Sequence, residues 1–184
     1  PGRGVLTKAL ASRVKRVVAV ELDRDLADQL GLAFQDSPNV EVVNADARDV
    51  TIESLVPPGT PYKVVANLPY YAASPIVRRF LEAQHSPELM VFMVQREVAR
   101  SMAASPGGMT LLSVMVQLYG EARIVGHAPP RAFRPVPKVT SAIVRVRVLP
   151  EPALALDSTG RFMDLVKAGF SAPRKQIRNC LRQG

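Results

Sequence analysis

Lys63-Val64-Val65-Ala66-Asn67-Leu68-Pro69-Tyr70 is the stretch from which the rest of the chain can be read. Val64, Val65 and Ala66 form a short apolar run rich in β-branched side chains, the pattern of a strand buried in a sheet. The run ends in an amide, a proline and an aromatic ring. The Asn67 side-chain oxygen and a backbone carbonyl next to Pro69 can accept both N–H hydrogens of an exocyclic amine on a flat ring. That leaves the nitrogen lone pair facing an electrophile. Tyr70 can stack on the ring, which must leave its helix to be reached. The same residues also suit a plain strand followed by a Pro-containing turn, and alone they leave both readings open.

Upstream, Pro1-Gly2-Arg3-Gly4 feeds Val5-Leu6-Thr7-Lys8-Ala9-Leu10, an amphipathic helical start. A glycine-rich turn lets a ligand approach bare backbone and a helix N-terminus. Val17-Val18-Ala19-Val20-Glu21 is an apolar strand with a carboxylate at its C-terminal end. In a nucleotide-binding βαβ unit such an acid accepts hydrogen bonds from ribose hydroxyls. Val40-Glu41-Val42-Val43-Asn44-Ala45-Asp46 repeats the pattern and places Asp46 at a further edge of the same crevice. Taken singly, a glycine turn is a turn, and a strand-end acid is a solvated group or a helix cap. Their order and spacing make the joint reading the stronger one.

Strands are expected near residues 17–21, 40–44, 63–67 and 89–94, and helices near 4–13, 23–34, 74–84, 96–104 and 109–119. This alternation predicts a parallel sheet with helices on both faces. Residues 121–127 and 141–149 are two further strand-like runs, joined by a proline-rich loop containing Phe133. Arg145 and Arg147 alternate with Val144, Val146 and Val148, giving one basic and one apolar face. A linker begins at Glu151-Pro152, and a helix follows Ser158 with Phe162, Leu165, Val166 and Phe170 at helical spacing, a core pattern rather than a base-stacking one. Residues 172–181 are expected to form a second, basic helix.

Composition sets the outer limits. A chain of 184 residues with 47% hydrophobic content supports one domain and a small appendage. No apolar run is long enough to span a bilayer, and no signal peptide opens the chain. One cysteine and two histidines exclude an internal disulfide and Cys-rich metal spacing, which fits a reduced, cytoplasmic setting. The net charge is +8, and residues 131–184 hold 11 Lys/Arg against three acids, so the whole excess lies there. Such asymmetry points to a polyanion, with phosphate backbone the natural one; the alternative is a solvated basic face.

The order Pro1-Gly2-Arg3-Gly4, Val20-Glu21-Leu22-Asp23, Asn44-Ala45-Asp46, Asn67-Leu68-Pro69-Tyr70-Tyr71 resembles the ribosomal RNA adenine N6,N6-dimethyltransferase family. Phe92-Met93-Val94-Gln95-Arg96-Glu97-Val98, Leu112-Ser113-Val114-Met115-Val116-Gln117 and Phe133-Arg134-Pro135-Val136-Pro137-Lys138-Val139-Thr140-Ser141 extend the resemblance over nearly the whole chain. It implies an α/β fold with a Rossmann-like class I methyltransferase sheet, mostly parallel with a terminal antiparallel strand pair. It implies S-adenosylmethionine as methyl donor and two adjacent adenosines of small-subunit rRNA as acceptors, within a precursor of that subunit. The family carries a strand and a further glycine before the position of Pro1, and more helices beyond Gly184. The chain is therefore expected to be a fragment: a methyltransferase domain over residues 1–150 without its first strand, and the start of a basic helical domain over 151–184.

The site expected from these readings has Gly2 and Gly4 on the methionine side, Glu21 on the ribose, Asp46 on the adenine amine, and Asn67 with Pro69 and Tyr70 at the acceptor amine. Tyr71 packs beneath or assists, and Phe133 either closes the other face of the base or plugs the sheet end. Arg145, Arg147, Arg174, Lys175 and Arg178 are the expected phosphate contacts. The expected chemistry is direct methyl transfer by a monomer, with no metal and no covalent enzyme intermediate. The rival readings are a 23S rRNA adenine N6-methylase of the erythromycin-resistance type, a DNA adenine methylase, and a non-catalytic RNA-binding ribosome assembly factor. The segment from Phe133 to Ser141 favours the small-subunit branch. DNA adenine methylases usually carry an acidic Asp-Pro-Pro-Tyr-like motif instead. Binding alone needs none of Glu21, Asp46, Asn67 and Tyr70.

Overall fold

The computed structural model describes residues 1–69, 71–133, 139–172 and 176–181. Three of the expected site residues, Tyr70, Arg174 and Lys175, lie outside the described residues. The chain divides into two compact units, Pro1–Tyr62 with Ala83–His85, and Lys63–Glu82 with Ser86–Gly184.

In the first unit α1 (Val5–Ala11), β1 (Val17–Glu21), α2 (Arg24–Ala33), β2 (Val40–Asn44) and a short α3 (Ile52–Leu55) follow one another. β1 and β2 pair in parallel, from Val17 opposite Val40 to Glu21 opposite Asn44. Their strand ends are fastened by polar side chains. Asn39 Nδ2 donates to the carbonyls of Ala11 and Val14, and Asn44 Nδ2 donates to those of Glu21 and Leu22. Helix α2 starts where Asp23 accepts the Leu26 N–H at 3.0 Å, an N-cap that satisfies one of the free donors of the first turn. Ala27 and Leu30 on its inner face are buried along with Ala19 of β1.

The second unit runs β3 (Lys63–Asn67), α4 (Ala73–Leu81), β4 (Leu89–Gln95), α5 (Arg96–Met102), α6 (Leu111–Tyr119), β5 (Gly120–Ala128), a 3-10 turn (Pro130–Ala132), β6 (Ser141–Val148), α7 (Thr159–Phe170) and α8 (Ile177–Leu181). Its sheet has the order β3-β4-β6-β5, parallel between β3 and β4 and antiparallel on both sides of β6. The expected antiparallel pair is thus β5 and β6, with a bulge between Ile124 and Gly126. Met90, Phe92 and Val94 of β4 and Ala142, Val144 and Val146 of β6 are almost wholly buried on one face; α5 packs against β4, β5 and β6, and α6 against α5 and β5. The alternate residues Val91, Met93, Ile143 and Arg145 are only half-buried.

Helix α6 explains the stretch from Leu112 to Gln117. Thr110 and Ser113 form a reciprocal capping pair at its start. Ser113 Oγ also donates to the Ser101 carbonyl at 2.6 Å, and Gln117 Nε2 donates to the carbonyls of Met102 and Ala104 at 3.1 and 2.8 Å. These bonds satisfy the open carbonyls at the end of α5, so the motif holds two helices together. No helix among the described residues is long and apolar enough to cross a membrane.

Candidate active site

The glycine turn takes its shape from two residues with positive φ, Gly2 at 56° and Gly4 at 76°. Around Gly4 there is no room for a side chain. A Cβ there would lie 2.7 Å from Leu30 Cδ2 and 2.9 Å from Phe34 Cε2. Gly4 precedes α1, and its carbonyl accepts the Lys8 N–H at 2.8 Å. Gly4 is therefore buried against α2, while Gly2 is half-buried and has open space where a Cβ would stand.

Glu21, at the end of β1, receives that turn. Its Oε2 accepts the Gly2 N–H at 2.8 Å, while Oε1 accepts the Asp23 N–H at 3.1 Å. Burial pushes the carboxyl pKa up, the Gly2 and Asp23 N–H hydrogen bonds pull it down, and the net shift is below the usual glutamate value.

Asp46 lies two residues past the last residue of β2, Asn44, which is opposite Glu21. The Ala45 N–H donates to the Glu21 carbonyl at 3.0 Å, extending the ladder by one step. The two acids and the glycine turn thus gather at the C-terminal ends of adjacent parallel strands, where open α/β sheets bind ligands. Asp46 is clamped by Arg48, whose guanidinium and backbone N–H hold its pKa below the usual aspartate value. Arg48 was not singled out from sequence. The available signal was an arginine two positions after a strand-end acid.

In the second unit Asn67 closes β3, opposite Met93, and the next N–H, that of Leu68, donates to the Met93 carbonyl at 3.1 Å. Leu68 is buried and anchors the turn, whereas Asn67 and Pro69 are exposed. The Asn67 amide makes no hydrogen bond among the described residues. Ala72 N–H donates to the Pro69 carbonyl at 3.0 Å, which starts the approach to α4. Tyr71 is 75% exposed and does not pack beneath the turn, which corrects that part of the expectation. Its backbone precedes Ala72, the residue that turns inward.

Phe133 ends the 3-10 turn and is half-buried. Arg145 is half-buried in β6 and Arg147 exposed; Arg123, on β5, stands directly opposite Arg145, and Glu121 opposite Arg147. Arg145 makes no ion pair among the described residues, and Arg123 has a loose one, 3.9 Å from Glu121. Like charges directly opposite on a sheet oppose pairing. Arg123 was also missed from sequence, because strand register decides what it faces. Arg178 is exposed on α8. No cluster of metal-ligating side chains occurs among the described residues.

Comparison with known proteins gives a consistent result. Residues 1–184 match the family model described as "Ribosomal RNA adenine dimethylase". The chain is 44% identical over 184 residues to ribosomal RNA small subunit methyltransferase A of Dehalococcoides mccartyi, covering all of this chain and 63% of that relative. It therefore spans a little under two thirds of that relative's length. Among solved structures, 23S rRNA methyltransferase ErmE is 36% identical with a TM-score of 0.79, covering 100% of this chain and 72% of that one. A dimethyladenosine transferase from Plasmodium falciparum is 25% identical with a TM-score of 0.83, covering 98% of this chain and 64% of that one. The fold is the Rossmann-like α/β fold of methyltransferases, with parallel strands and an antiparallel pair.

Proposed function

Since this chain belongs to the ribosomal RNA adenine dimethylase family, we propose that it transfers methyl groups from S-adenosylmethionine to N6 of two adjacent adenosines in small-subunit rRNA. The observation that carries this reading in the chain itself is the gathering of the glycine turn, Glu21 and Asp46 at one end of a parallel strand pair. Two acids and a glycine turn at that place suit the hydroxyl and amine donors of a nucleoside.

The residues present suit S-adenosylmethionine. At Gly2 the missing side chain leaves open space, since a Cβ there would meet nothing within 4 Å. Glu21 Oε1, with one N–H donor at 3.1 Å, has acceptor capacity left for a ribose hydroxyl. Asp46 is the acceptor for an adenine amine. When bound, the cofactor supplies a methyl group on a cationic sulfur. Asn67 Oδ1 and the backbone carbonyl preceding Pro69 accept the two N–H hydrogens of the target adenine and orient its lone pair. As that nitrogen becomes positive the bond to Asn67 strengthens, which favours the transition state over the bound substrate. Methylation makes the nitrogen acidic, so its proton leaves to water without a strong base. Tyr70 stacks on the flipped base, and Phe133 closes its other face.

Arg123, Arg145, Arg147 and Arg178, with Arg174 and Lys175, contact phosphates of the RNA, and the unfavourable facing of Arg123 and Arg145 is relieved by one bound anion. The working form is a monomer acting in the cytoplasm on a precursor of the small subunit, with residues 1–150 as catalytic domain and 151–184 as the start of a helical domain. The test is to incubate the protein with S-adenosylmethionine and each ribosomal RNA, then analyse nucleosides by mass spectrometry. Dimethyladenosine in small-subunit RNA supports the reading. Methylation confined to large-subunit RNA would instead favour the activity that the name of ErmE describes. RNA binding without any methylation would favour an assembly factor.

A further inference from the structure

We propose that Arg48 is an internal competitor for the carboxylate of Asp46, and so sets how readily that carboxylate takes the adenine amine of the cofactor. The inference rests on the reading of Asp46 given above. A carboxylate offers about four lone-pair directions, two on each oxygen. Three N–H groups of Arg48 occupy both oxygens, with the Nε hydrogen shared between them. Oδ1 accepts the Arg48 backbone N–H at 2.8 Å and Nε at 3.0 Å, and Oδ2 accepts Nε at 3.0 Å and Nη2 at 2.6 Å.

An adenine amine is an uncharged donor, while the guanidinium is charged and meets the carboxylate along its side, the stronger arrangement per bond. For the amine to meet the carboxylate on the side that the guanidinium covers, a guanidinium bond has to open. The surroundings allow it, because the Arg48 side chain is 44% exposed and Asp46 20% exposed, so the guanidinium can turn into water. The sign follows from the backbone. Without the Arg48 side chain, the Arg48 N–H still holds Oδ1 at 2.8 Å, so the carboxylate keeps a bond that orients it while the competing guanidinium is removed. An exposed ion pair of this kind limits the gain to roughly two- to fivefold in affinity.

The experiment is calorimetric titration of S-adenosylhomocysteine, which carries the adenine without the sulfonium charge, into wild type, R48A, R48M, D46A and D46A/R48A. Folding is checked by thermal melts, and R48M keeps the stem of the side chain should R48A melt early. The expected result is two- to fivefold tighter binding by R48A and R48M, with no gain in D46A/R48A over D46A. Added salt should raise the wild-type affinity by screening the pair and leave R48A flat. Equal or weaker binding by both Arg48 variants, with D46A weakened, would overturn the competition and leave the Asp46 reading standing. Unchanged affinity in D46A would remove Asp46 from the site, and this inference with it.

Discussion

Gly2 donates its backbone N–H to Oε2 of Glu21 at 2.8 Å, tying the glycine turn to the end of β1 across 19 residues of sequence. The bond holds the turn and leaves Oε1 with acceptor capacity, which the proposed function assigns to a ribose hydroxyl.

Glu21→Ala should therefore weaken S-adenosylmethionine binding by roughly 1.5–3 kcal/mol, the scale of hydrogen bonds to a charged group. Calorimetry checks this, and an unchanged affinity would take Glu21 out of the site. Glu21→Gln adds a pH test. Because the folded-state pKa is lowered, the ionised carboxylate stabilises the fold above its ordinary value of 4.5, and that contribution is lost as pH falls through the lowered value. Melting curves should show the wild type ahead of Glu21→Gln at neutral pH, with the gap closing in acid.

The two turn glycines should differ. Gly2→Ala meets nothing within 4 Å and carries only the left-handed backbone penalty, about 1–2 kcal/mol. Gly4→Ala adds contacts of 2.7 and 2.9 Å to Leu30 and Phe34, and should cost about 1–3 kcal/mol more. Urea denaturation of both variants measures the difference; equal costs would mean that α2 yields to the added methyl.

At Arg123 stability and binding should move in opposite directions. Arg123→Glu places an acid opposite Arg145, which should stabilise the sheet by about 0.2–1 kcal/mol. The same change should weaken RNA binding and flatten its dependence on log salt by roughly one unit per lost phosphate contact. Loss of stability, or an unaltered salt slope, would place the phosphate contact elsewhere.

Gln117→Ala tests whether its motif is structural. Removing two hydrogen bonds to the end of α5 should cost about 1–3 kcal/mol of stability. Affinity for S-adenosylmethionine should stay the same.

Most of the fold was legible because its strands are short apolar runs with polar ends. β1, β2 and β3 occupy the stretches expected for them, residues 17–21, 40–44 and 63–67. Helix ends were less legible, since local caps set them. Thr110 starts α6 two residues later than the apolar pattern suggests, because it is the cap itself. Helix α3 was missed, as four residues are too few to show a period; only Ile52 and Leu55, one turn apart, are buried. Glu21, Asp46 and Asn67 could be picked out because each stands at the end of a readable strand. Arg48 and Arg123 could not, because their meaning comes from what they face. One faces a carboxylate across a turn. The other faces Arg145 through a register that depends on the bulge between Ile124 and Gly126.

The most direct test is the single-turnover rate of methyl transfer to a small-subunit RNA particle by Asn67→Ala. The Asn67 side chain is exposed and makes no hydrogen bond among the described residues, so its loss should leave the fold intact and the rate should report chemistry. The expected result is a rate lower by about 10²–10³, the scale of losing one preorganised electrostatic partner, with cofactor and RNA affinities changed far less. A rate near that of the wild type would contradict the assignment and leave Asn67-Leu68-Pro69-Tyr70 as a strand end and a turn.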